Sequence, residues 1–113
     1  MKAIEIKSNN SVYGSSFHGS TFNATTNELR KLFNKDNGGD QYDKVQHDWG
    51  IEGKMDDDKT YDFSIYDWKE YRNYDDDEVI NWHIGGDNAE LTDAVCEKVE
   101  EMLAKIRKKM LIK

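Results

Sequence analysis

Proline does not occur in this 113-residue chain, and cysteine occurs once. Without proline, no helix carries a proline kink and no strand loses a backbone donor. A single cysteine, Cys96, excludes an internal disulfide and leaves too few thiols for a thiolate zinc site. No apolar run reaches the length of a membrane-spanning helix, and the opening MKAIEIKSNN turns polar too soon for a signal peptide. The reading is a protein of the cytoplasm that does not enter a membrane. Histidine is also scarce: His18, His47 and His83 lie far apart, and no HxH, HExxH or CxxC pair holds a metal at fixed spacing. No phosphate loop of the P-loop form is present, and neither acidic run, DDD at 56–58 or DDDE at 75–78, has EF-hand spacing. Neither a cofactor nor a metal is expected, and without a nucleophile–base pair the chain is read as not an enzyme.

Charge is abundant but unevenly spread. The net charge is −7. Residues 1–34 carry four basic and two acidic side chains, residues 35–78 six and fifteen, and residues 79–113 six of each. The excess negative charge therefore lies in the middle of the chain. That argues against direct DNA binding, which needs Lys and Arg against phosphate. It leaves a solvated acidic surface or one that meets a basic partner.

A chain this short closes one core, so residues 1–113 are read as a single α+β domain. KAIEIK at 2–7 alternates as a strand. The Ser- and Asn-rich stretch 8–24 reads as irregular or short β structure. TTNELRKLF opens with a capping box, Thr25 with Glu28, and carries Leu29, Leu32 and Phe33 on one helical stripe. Three alternating segments, 44–54, 60–71 and 79–84, predict an antiparallel meander. A long helix then begins, with Asp87 as its expected N-cap. Leu91, Val95, Val99, Met102, Leu103, Ile106 and Met110 give it one apolar face. The predicted architecture is an antiparallel sheet packed against a long C-terminal helix and a short N-terminal one. Cys96 reads as a small residue of that helix rather than a nucleophile.

The alternation has a consequence for function. With Tyr61, Phe63 and Ile65 facing the helices, Tyr66 and Trp68 point the other way, as does His83 opposite Trp82. Lys69 and Arg72 are close in sequence. Large aromatics beside hydrogen-bonding groups suit a recognition surface; alternatively, the N-terminal segment with Tyr13, Phe17 and Phe22 covers this face as a second layer. Gly85 and Gly86 are read as a sharp reversal between strand and helix.

The segments GSTFNATTNELRKLF, FSIYDWKEYR and VINWHIGG resemble small uncharacterised proteins of bacteriophages and prophages. That group pairs a short helix and a KVxxxW strand with IYDWK and WHIGG strands. The matching residues are Thr21, Leu29, Phe33, Lys44, Val45, Trp49, Ile65, Tyr66, Asp67, Trp68, Lys69, Trp82, His83, Ile84, Gly85 and Gly86. The resemblance implies a bacterial host cytoplasm and action by binding. The expected function is inhibition of a host defence factor with a basic surface, by an acidic, aromatic face that can mimic nucleic acid. Its residues are Tyr66, Trp68, His83, Asp75, Asp76 and Asp77. The alternative is sequestration of a nucleotide signal, stacked on Tyr66, Trp68 and His83 with its phosphates on Lys69 and Arg72. A homodimer is compatible with either.

Overall fold

The computed structural model describes residues 1–9, 16–34, 47–68 and 73–111. The elements are β1 (Ala3–Ser8), β2 (Ser16–Thr25), α1 (Thr26–Phe33), β3 (Asp48–Met55), β4 (Thr60–Tyr66), β5 (Val79–Gly86) and α2 (Ala89–Leu111). They form an α+β fold. One five-stranded antiparallel sheet, in the order β1-β3-β4-β5-β2, packs one face against α2 and α1.

The meander β3-β4-β5 arises where the alternation predicts it. Asp57 turns the chain between β3 and β4: its carboxylate accepts from the Lys59 amide and from the Tyr61 hydroxyl. Asp58 adopts φ 64° there, which a short polar residue tolerates. The two edge strands come from the N-terminal third. Residues 16–25 are one ten-residue strand rather than short irregular pieces. The period of two is masked in the sequence because Ser20 is an inward residue along with Phe22 and Ala24. A bulge between Phe17 and Thr21, with Gly19 at φ 97°, breaks it further.

The core forms where inward rows of all five strands meet Leu91, Val95, Val99 and Leu103 of α2 and Leu29 and Phe33 of α1. At its centre Trp49 and Trp82 pack edge to face, 5.4 Å between centroids. Both indoles keep a partner: Trp82 Nε1 donates to the Ala24 carbonyl at 2.9 Å and Trp49 Nε1 to that of Asn34 at 3.0 Å.

Two expectations at the strand–helix junction are corrected. Gly85 and Gly86 do not reverse the chain; both lie in β5, and neither has a positive φ. Gly86 is there for space: a Cβ would sit 2.8 Å from both Phe63 Cδ1 and Thr92 Cγ2. Asn88, not Asp87, caps α2, its Oδ1 accepting from the Leu91 amide at 3.0 Å. Asp87 is exposed.

The capping box of α1 forms as predicted, with Thr25 and Glu28 exchanging hydrogen bonds. Glu28 also takes a two-pronged contact from Arg107 of α2, at 2.6 and 3.1 Å. This guanidinium holds the Glu28 carboxyl below its ordinary value of 4.5. The pair's stabilisation is therefore complete above that value and lost as the pH falls through the lowered one. Glu28→Gln keeps the capping geometry and removes the charge. We expect a loss of about 1 kcal/mol near neutral pH, discounted for the exposed guanidinium, and convergence with wild type in acid. Denaturant titrations at several pH values test this; a difference independent of pH would refute it. Among the described residues no helix is long and apolar enough to cross a membrane.

Candidate binding face

The face of the sheet away from the helices is built by the odd partners of the buried rows. Tyr66 on β4 pairs with His83 on β5, and His83 pairs with Thr21 on β2. Directly paired residues share a face, so these side chains form one row across three strands. Phe17, placed by the β2 bulge, stacks on His83 at 4.2 Å and 22°. His83 lies 5.6 Å from Tyr66, and Tyr66 meets Trp68 edge on at 6.1 Å. The result is a continuous run, Phe17–His83–Tyr66–Trp68. Its ends are open: Phe17 is 44% and Trp68 40% exposed.

Electrostatics keep the middle of the run neutral. Burial lowers the His83 pKa from its ordinary 6.5, so the ring is uncharged near neutral pH. Burial also raises that of the Tyr66 hydroxyl. Around the run, the same face carries Glu5, Asp48, Glu52 and Asp62 against Lys7 and Lys54, a modest negative excess.

Trp68 lies two residues beyond the end of β4, and Asp67 between them fixes it there. The Asp67 side chain is fully buried; it accepts from the His47 amide at 3.0 Å and from the Tyr74 hydroxyl at 2.7 Å. The Asp67 amide in turn donates to the His47 carbonyl at 3.3 Å, extending the β3–β4 ladder one step. A carboxylate thus clamps the segment that presents the tryptophan.

Of the residues expected at the site, Tyr66, Trp68 and His83 come together. Lys69 and Arg72 lie outside the described residues. Asp76 and Asp77 face elsewhere, toward α1. Asp76 pairs with Arg30 at 2.7 Å, its carbonyl accepts from the Asn27 amide, and Asp77 accepts from the Asn27 side chain. The acidic run is therefore neither only solvated nor wholly free for a partner: two of its carboxylates fasten the loop before β5 to the short helix. Asp75 is exposed and its carbonyl accepts from the Glu78 amide. Of the N-terminal aromatics, Phe22 is in the core, Phe17 joins the open face, and Tyr13 lies outside the described residues. Phe17 joins the run as a ring stacked on His83; its odd spacing from Phe22 is the sequence signal, since alternation sends the two to opposite faces.

Cys96 is half-buried on α2, its thiol donating to the Thr21 carbonyl at 3.3 Å. Burial, with Glu100 beside it, pushes the pKa up to about 11, so the thiolate is scarce. Among the described residues, no three His, Cys, Asp or Glu side chains are grouped to hold a metal ion. No protein-family model matches this chain, and no curated protein or solved structure does.

Proposed function

We propose that this chain acts by binding rather than turnover, and that its helix-free sheet face docks on a protein with a basic surface. The phage resemblance makes that protein a bacterial host defence factor, occluded in the host cytoplasm. The observation that carries the reading is the run Phe17–His83–Tyr66–Trp68, with both end rings exposed, on a face that neither α1 nor α2 covers. Aromatic rings on a semi-rigid sheet supply contact area at low entropic cost, which is why such residues dominate interface energetics. Surrounding negative charge adds speed of encounter with a basic partner rather than strength.

The test uses a partner captured from host lysate and then purified. Trp68→Ala is expected to speed dissociation by roughly tenfold or more, because a half-exposed ring on the face meets the partner. Asp75→Asn is expected to slow association at low salt and leave dissociation unchanged. Asp75 is chosen because neutralising Asp76 or Asp77 also loosens α1. Unchanged rates in both variants would place the interface elsewhere. A partner that proves to be a nucleotide, quenching tryptophan fluorescence with little salt dependence, would replace the protein-docking reading by the ligand one.

A further inference from the structure

The two edges of the sheet are finished differently. The β2 edge is occupied by α2: the Thr21 carbonyl accepts from Cys96 Sγ, and the Asn23 carbonyl from Arg107 Nη2 at 3.1 Å. Among the described residues β1 ends the sheet on the other side, paired with β3 only, and regular from Glu5 onward after a bulge between Ala3 and Glu5. Beside it Ile4 is 52% and Met1 47% exposed, two apolar side chains at an unfinished edge.

We propose that this β1 edge pairs with the same edge of a second copy, antiparallel about Ile6, to form a symmetric dimer. The backbone sets the register. The Asn9 amide donates to the Gly50 carbonyl, and inward- and outward-facing residues alternate along an antiparallel strand. Lys7 and Glu5 therefore turn their backbone groups to β3, while Ser8 and Ile6 turn theirs outward. Outward groups of Ile6 meet those of Ile6 in the second copy when the twofold axis passes there.

The side chains select the same register. Glu5 and Lys7 flank Ile6, and both are exposed on the helix-free face. A twofold at Ile6 sets each Glu5 opposite Lys7 of the other copy, twice. Shifting the axis to Glu5 or to Lys7 opposes like charges, which is destabilising. Within one chain Lys7 already stands 4.0 Å from Glu52, and Glu5 is the cross-strand partner of Lys54. Across the dimer the row becomes Glu52, Lys7, Glu5, Lys54, alternating in sign throughout.

Such an axis runs perpendicular to the sheet, so the two helix-free faces point the same way. One continuous sheet then displays two copies of the aromatic run to one side. A dimer can engage a repeated or symmetric partner with both, gaining avidity without any new contact.

Sedimentation of the full chain across micromolar to millimolar concentration tests the pairing. The wild type is expected to dimerise. Glu5→Lys alone and Lys7→Glu alone should each weaken self-association by roughly tenfold or more, since both cross-strand pairs become repulsive. An equimolar mixture of the two variants should dimerise again, because the changed positions then face each other with opposite sign. Ser8→Pro removes an outward donor and leaves the bonds to β3, and should give a monomer with an unchanged circular-dichroism spectrum. A wild type that stays monomeric throughout overturns the proposal. So does a dimer that survives Ser8→Pro, or a mixture that fails to restore association.

Discussion

Trp82→Ala is expected to be among the most damaging substitutions, at about 3–5 kcal/mol. The indole is wholly buried at the centre of the core. It packs edge to face on Trp49, and its nitrogen supplies the Ala24 carbonyl. Removal opens a cavity beside Trp49 and takes the indole donor from the Ala24 carbonyl. Walls made of a sheet and a long helix cannot collapse far to refill it. Domains of this size have a total stability of roughly 5–15 kcal/mol, so the variant should lie near the edge of folding. The unfolding midpoint should fall by more than about 10 °C. Thermal unfolding followed by circular dichroism measures it. A loss under about 1 kcal/mol would mean that Trp82 does not anchor the layers.

Asp67→Ala is expected to cost about 3 kcal/mol, for a different reason. Here the loss is polar: two donors, the His47 amide and the Tyr74 hydroxyl, are left without their acceptor in a buried place. The deleted side chain also leaves space in the core. Asp67→Asn retains an oxygen for the His47 amide and should recover much of the loss. The two variants separate the contribution of geometry from that of charge. The functional consequence lies one residue on, because Asp67 holds the backbone that carries Trp68. In Asp67→Ala, amide exchange at His47 should accelerate, and partner dissociation should quicken even under conditions where the variant is folded. Equal stability for wild type and alanine in denaturant titration would exclude the clamp.

Alternation and helical spacing determined a good deal of this protein by themselves. Tyr61, Phe63 and Ile65, then Ile80, Trp82 and Ile84, alternate strictly, because a half-buried strand must put every second residue in the core. Leu91, Val95, Val99 and Leu103 recur at the spacing of one helical face. Thr25 and Glu28 announce a helix start through hydrogen bonds made within four residues. Those signals are local, and they also turned Tyr66 and His83 to the same face before any partner strand was known.

Tertiary structure decided what depends on contacts between distant residues. The Ser-rich β2 is a strand because it finds β5 across 58 positions, as Ala24 and Trp82 show; its own composition gives little alternation. Gly86 is glycine because Phe63 and Thr92 crowd the place a side chain would fill, a fact absent from the string NWHIGG. Asp76 and Asp77 are tied to the fold by Arg30 and Asn27 of α1, partners 46 and 50 positions away in the sequence. Phe17 reached His83 only because a bulge at a left-handed glycine reset the register of the edge strand. Sequence patterns report the solvent preference of each position, whereas pairing, crowding and charge compensation belong to the pairs that folding brings together.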